Sequence, residues 1–325
     1  MTDVLLVGLG ATHGLRGADA ELAASMRRAG AGVATVSAAR PREWRTLALI
    51  ELAWATAARR AAVAGIEAHR PRAVLYSSTT AALLGPVAGA IRFDAPAAGN
   101  RPGRHGLWQR PLERRRMAAA PLLAPWSEGA LAEAPRPHAP AVVVPVPVEP
   151  SAPAAGAKAG GRRDLAAVAY GANPAKKGLD RVLGAWERAR RPGEELVVAG
   201  LDGRAREGVR FAGALEPGAF RALLRRARVF VIAPRREDHG LAQLEALADG
   251  CLLVTTPAPG PYAALPLARE LDPRLVGEDL QQAIRVALDQ PPDGHEARAL
   301  ELLAPWARGR VDAIVADELL PRLLG

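Results

Sequence analysis

Two glutamates, Glu237 and Glu245, stand on either side of Gly240 in the stretch APRREDHGLAQLEALADGCLLVTT, Ala233 to Thr256. Carboxylates accept hydrogen bonds from hydroxyl pairs of the kind that sugars and riboses carry. Arg235 and Arg236 come just before the first glutamate, and Gly240 allows a backbone turn close to a ligand. An apolar periodic run starts at Leu241, so a helix is expected there, and its free N–H groups and dipole favour an anion. The chemistry this implies is recognition of one elongated ligand, with hydroxyls near each carboxylate and a phosphate between them at the helix N-terminus. A second cationic pair, Lys176 and Lys177, falls at the start of another predicted helix. Cations there oppose the helix dipole, and an anionic ligand would account for them.

These residues need elements to hold them. The chain of 325 residues is long enough for two domains of roughly 150 residues each. DVLLVGLG reads as a strand, ADAELAASMRRAG as a helix and AGVATVSA as a strand, a βαβ unit that implies a parallel sheet. A long helix from Glu43 to Ala68 follows, then the strand RAVLYSS and the helix-like TTAALLGPVAGA. The Pro-, Gly- and Arg-rich stretch from Arg92 to Arg116 reads as a mobile loop leading to a helix, and APLLAPWS and PAVVVPVPV read as strands. A linker at 151–163 separates this 1–150 domain from a second alternation over 164–305, and 306–325 is expected to cross back to the first domain. In the second domain LAAVAYG, EELVVAG, VRFAGAL, RVFVIAP and CLLVTT are strands, with helices between them. The fold class is therefore α/β, with two Rossmann-like domains of parallel sheets flanked by helices. The site is expected in the cleft at the carboxyl ends of their strands.

Composition removes several classes. Hydrophobic residues are 49% and charged residues 24%, an ordinary globular balance, and no run of 18 apolar residues suggests a membrane span. The net charge of +9 comes largely from dispersed arginines. The runs Arg114–Arg116 and Arg225–Arg226 read as solvated faces, so no nucleic-acid partner is expected, and at most a peripheral contact with an anionic membrane. The lone Cys251 lies in an apolar run and reads as a buried hydrophobe. The six histidines lack metal-ligand spacing; only His13 and His239 are placed to face the cleft, the others reading as surface residues. With no paired acidic metal motif, no metal or other cofactor is expected. A cytoplasmic location follows from the absence of a signal segment.

The stretch EDHGLAQLE, with LEALADGCLLVTT after it, resembles the E-x7-E signature of the retaining nucleotide-sugar glycosyltransferases of the GT-B fold, family four (glycosyl transferases group 1). YGANPAKKGLDRVLGAWERA is similar to that family's segment with a lysine-glycine pair after a strand, and VRFAGALEPGAFRALLRRARVFVIAP to its middle region. LLAPWSEGAL and VVVPVPVEPS resemble the end of its acceptor domain, so the likeness runs from about Leu122 to Ala287.

The resemblance implies that Lys177 contacts the donor diphosphate, Glu237 the hydroxyls of the transferred sugar and Glu245 the ribose, with Gly171, Lys176, Arg235, His239, Gly240 and Leu241 completing the donor site. It implies an acceptor side formed by the loop at Gly10, His13 and Gly14 and by Asp94. Two positions depart from the family: Ala172 stands where an arginine is usual, so that Lys176 or Arg235 would have to substitute, and Phe93 stands where a histidine is usual. A metal-independent, retaining glycosyltransferase is the reading these residues favour, with a nucleoside-diphosphate sugar as donor and a glycan, lipid or small molecule as acceptor. The alternatives are a catalytically impaired nucleotide-sugar-binding protein and an NADP-dependent oxidoreductase. The last rests on Gly8, Gly10 and Gly14 with Gly17 beyond, whose spacing departs from the dinucleotide fingerprint, and on Arg40.

Overall fold

The computed structural model describes residues 2–42, 46–151 and 163–325. The chain separates into two compact units, residues 1–147 with 308–325, and residues 148–307. Of the linker expected at 151–163, residues 152–162 lie outside the described residues.

The first unit is a five-stranded parallel sheet of β1 (Val4–Gly8), β2 (Val33–Ser37), β3 (Ala73–Tyr76), β4 (Ala90–Phe93) and β5 (Leu123–Pro125), in the order β2-β1-β3-β4-β5. β1 and β3, in the middle of the sheet, are buried on both faces, which is why they read as unbroken apolar runs. On one face Leu22, Ala23 and Met26 of the helix His13–Arg28 pack with Leu6, Val144, Val311, Val315 and Leu319. The C-terminal segment thus lies in this unit's core, and Arg28 and Ser25 bond Asp312 at 2.7 and 2.6 Å.

Three expectations for this unit need correction. The helix-like TTAALLGPVAGA is helical only over Thr79–Leu83. Gly85 and Gly89 then press against the Tyr76 ring, where a Cβ would come within 2.6 and 2.8 Å, and the chain turns into β4. That strand was hidden in the supposed mobile loop because Arg92 breaks its apolar pattern. PAVVVPVPV forms no strand: Pro145 and Pro147 have no N–H to give a ladder, and only Val142 and Val144 bond the carbonyls of Leu123 and Pro125. The long helix runs from Leu47 to His69.

The second unit is also a five-stranded parallel sheet: β6 (Leu165–Tyr170), β7 (Leu196–Ala199), β8 (Val209–Phe211), β9 (Ala227–Ile232) and β10 (Leu252–Thr255), ordered β10-β9-β6-β7-β8. The chain moves outward from β6 through β7 to β8, then returns to the other side of β6. The order therefore reverses between β6 and β9, and loops leaving these two neighbours diverge at their carboxyl ends. Helices Leu179–Ala189 and Leu280–Asp289 cover one face, with Trp186 wholly buried; helices Pro217–Arg226 and Leu241–Ala248 cover the other. No helix among the described residues is long and apolar enough to cross a membrane.

Candidate functional site

The loop after β6 begins at the buried Gly171 and makes a single helical turn, Pro174–Lys177. Proline opens the turn, and Asn173 caps it by accepting the Lys176 N–H at 3.1 Å. Lys176 and Lys177 are consequently in the last turn, where the dipole favours cations. This corrects the expectation that they oppose a helix start. Gly178 closes the turn with φ +62, and a Cβ there would lie 1.8 Å from the Ala233 carbonyl oxygen. Only glycine lets this loop press onto the end of β9.

The loop after β9 is tied to it by backbone. The Arg235 N–H donates to the Lys176 carbonyl at 2.9 Å, and its guanidinium donates to the Ala175 carbonyl at 2.9 Å. The Glu237 N–H donates to the Pro259 carbonyl at 3.1 Å, so a third loop, after β10, backs the same segment. Gly240 has φ +88 and starts the helix Leu241–Ala248 with no side-chain cap, as its position in the sequence predicted. The Gln243 N–H turns back to the Gly240 carbonyl at 3.1 Å, while those of Leu241 and Ala242 have no partner inside the helix.

Charge pairs close the gap between the loops. Lys177 Nζ donates to Glu237 Oε2 at 2.6 Å, with both side chains largely buried. Lys176 pairs with Asp238, to which Arg236 Nε also donates at 2.8 Å. Burial pushes the Asp238 carboxyl up, but Lys176 and Arg236 outweigh it and hold the group below its usual range. Gln243, wholly buried, donates to Glu237 Oε2 at 2.8 Å. His239 is buried beside them.

Glu245 lies on the same helix, half-buried, with Arg221 at 3.7 Å. Burial pushes its carboxyl up to about 7, Arg221 pulls against this, and Asp249 adds to it. Arg235 does not stand open toward a ligand: its guanidinium takes both oxygens of Asp180, at 2.9 and 2.7 Å.

The structure thus gathers Lys176, Lys177, Arg235, Glu237, His239, Gly240 and Leu241 at the carboxyl ends of β6 and β9, with Gly171 at the loop's root and Glu245 farther along the helix. Gly10, His13, Gly14 and Asp94 belong to the first unit. Gly10, at φ +63, accepts from Arg16 at 2.7 Å; His13 and Gly14 begin the helix capped by Thr12; Asp94 follows β4 and accepts the Ala95 N–H at 2.9 Å. Phe93 is in the core and Ala172 is exposed. Cys251 is buried, its thiol pushed up to about 12 by burial. His295 is buried too, with Nε2 at 2.9 Å from the Cys251 carbonyl, and is not the surface residue expected. No group of three His, Cys, Asp or Glu among the described residues could hold a metal ion.

Asp180, Asp238, Arg221, Gln243 and Tyr262 were not singled out from the sequence. Gln243 alone left a signal there, a polar side chain three and four residues before Ala246 and Leu247 on the helix's buried face.

Residues 163–288 match the family model described as glycosyl transferases group 1. No curated protein sequence matches the chain. Among solved structures, one described as WaaG, a glycosyltransferase involved in lipopolysaccharide biosynthesis, superposes with a TM-score of 0.69 at 14% identity, covering 100% of both chains. An α,α-trehalose-phosphate synthase (UDP-forming) from Burkholderia xenovorans, in complex with glucose-6-phosphate, gives 0.68 at 15% identity, covering 99% of this chain and 100% of that one. Sucrose-phosphate synthase from Thermosynechococcus elongatus gives 0.67 at 15% identity, covering 98% and 96%. At these identities the likeness is one of fold, the two-unit α/β architecture called GT-B.

Proposed function

Because its second unit belongs to the glycosyl transferases group 1, we propose that the chain is a retaining glycosyltransferase that takes a sugar from a nucleoside diphosphate without a metal ion. The observation that carries this reading is the Lys177–Glu237 contact at the strand-order reversal, beside the open start of the helix Leu241–Ala248. A buried carboxylate there can hold sugar hydroxyls. The lysine keeps two further N–H donors for a diphosphate oxygen, and the helix N-terminus adds fixed N–H dipoles. Glu245, one helix turn and more away, would take the ribose hydroxyls.

In the reaction the bond between the anomeric carbon and the diphosphate oxygen breaks, and the acceptor hydroxyl oxygen bonds the same carbon from the same face. Same-face attack by the acceptor requires no protein nucleophile, and because the acceptor's proton leaves on the diphosphate no protein base is required either. Lys177 and the helix N–H groups stabilise charge on the departing diphosphate, a form of electrostatic catalysis. The loop at Gly10, His13 and Gly14 and Asp94 would serve the acceptor.

A second reading, nucleotide-sugar binding without transfer, is favoured by two positions. Ala172 offers no charge to a phosphate, and Arg235, which would replace it, is occupied by Asp180. Phe93 lies in the core, where it cannot act on an acceptor.

A calorimetric panel of nucleoside diphosphates and their sugars, each with and without chelator, tests the proposal. UDP is the first to try, since the trehalose-phosphate synthase is described as UDP-forming. Binding that survives chelator is expected, and sugar released from the donor separates transfer from binding. Failure of every nucleoside diphosphate to bind, or loss of binding in chelator, contradicts the proposal.

A further inference from the structure

Beneath Glu237 lies a column of polar groups that neither the phosphate nor the hydroxyl contacts explain. Gln243 donates to the carboxylate, the Tyr262 ring packs under Gly240 close enough to meet a Cβ there at 3.0 Å, and the Tyr262 hydroxyl shares a 2.7 Å bond with Thr255 Oγ1. All three side chains are buried. Gln243 is a polar side chain wholly buried in the unit, where a methionine would fill nearly the same volume with no amide to desolvate.

What the amide supplies is direction. Lys177 and Gln243 converge on one oxygen of Glu237, Oε2, one from the loop after β6 and one from the helix Leu241–Ala248, 2.6 and 2.8 Å away. Two donors on one oxygen fix the plane of the carboxylate, and Oε1 takes part in neither bond. Lys177 alone could not do this, because one donor on one oxygen leaves the carboxylate free to turn, and the ion pair loosens as it turns. The helix holding Gln243 is rigidly seated by Leu244, Ala246 and Leu247 in the core. We infer that Gln243 is a positioning residue: it holds the Glu237 carboxylate in one orientation and so sets how strongly the site prefers a sugar-bearing nucleotide over the bare nucleoside diphosphate. The preference rests on the donor reading above; the orientation does not.

The test separates the two. In the ligand-free protein, reductive methylation with formaldehyde is followed at each lysine by mass spectrometry in the wild type and in Gln243→Met. Lys177 is expected to react about fivefold faster in the variant, the size of one ordinary net hydrogen bond, while Lys176, held by Asp238, keeps its rate. A purely structural role would speed both lysines and lower the melting temperature. An unchanged Lys177 rate in a folded variant overturns the inference. Should Gln243→Met fail to fold, Gln243→Asn keeps the amide but draws it back from Glu237, and the same outcomes apply. In the second arm, calorimetry with UDP and with UDP-glucose is expected to show the affinity ratio falling about tenfold in the variant with UDP itself unchanged. If UDP binds neither protein the donor reading falls, and the methylation rates still decide the positioning role. A ratio that stays constant while UDP-glucose binds overturns the discriminating role.

Discussion

At the end of β9 in the second unit, opposite charges meet across two loops: Lys177 on Glu237, Lys176 on Asp238, Arg235 on Asp180. At the end of β4 in the first unit, the charge is taken inside. Arg92 is wholly buried with its guanidinium carbon 4.7 Å from the Trp126 ring centroid, and its nearest anion, Asp19, is 3.9 Å away. Neither the three Arg92 nitrogens nor Asp19 Oδ1 makes a hydrogen bond. Close by, Glu113 is buried with both oxygens on the Ala97 N–H, and Glu51 pairs with Arg101. The contrast teaches that the same sheet edge can serve two ends. Charges on loops that backbone bonds have already pinned can be shared with a ligand, whereas charges sunk among strands act on the fold itself.

If that contrast is right, the largest effect on stability comes from the first unit. Arg92→Ala leaves Asp19 buried without its cation and is expected to cost about 3–5 kcal/mol in chemical denaturation. A loss well below that would place Asp19 with the shareable charges.

Next in size is a pH effect. Burial pushes Glu113 up to about 7, only partly offset by Ala97, Thr79 and Arg101, while Glu51 adds to the push. Asp19 rises to about 6 by burial, against Arg92 and Ser77. A folded-state value above the unfolded one means stability is full below the unfolded value and is lost as pH rises through the folded value. The protein is therefore expected to lose on the order of 2–3 kcal/mol through Glu113 between pH about 4.5 and about 8. Glu113→Gln should flatten that slope in denaturation curves recorded across the range. A slope unaltered by the substitution assigns the loss elsewhere.

The smallest effect is expected at the exposed end of the second unit. Arg235→Ala removes a solvent-screened pair with Asp180 and should leave the unfolding midpoint unchanged. A clear drop would show that this pair holds the fold.

The two units also differed in how far they could be read from the sequence. In the second, apolar runs such as RVFVIAP and CLLVTT became strands almost residue for residue, and Gly240 marked the helix start, because short loops and local periodicity decide both. The partners at the site were not legible, since Lys177 and Glu237 are 60 positions apart and meet only through the parallel pairing of β6 with β9. In the first unit β4 escaped notice because Arg92 sits in a strand where local patterning allows only apolar residues. PAVVVPVPV misled in the opposite sense: alternate valines are buried as in a strand, yet prolines remove the donors that a ladder needs.

The central claim is that the charge-paired edge of the second unit binds a nucleoside diphosphate, and Glu245→Ala tests it most directly. Its carboxylate, pushed up to about 7 by burial, must be ionised to accept two ribose hydroxyls well, so UDP affinity should also rise with pH through that value in the wild type. Calorimetry with UDP is predicted to show a loss of about 1.5–3 kcal/mol in the variant, with no change in melting temperature large enough to explain it. Unchanged UDP affinity in a variant as stable as the wild type would contradict the account.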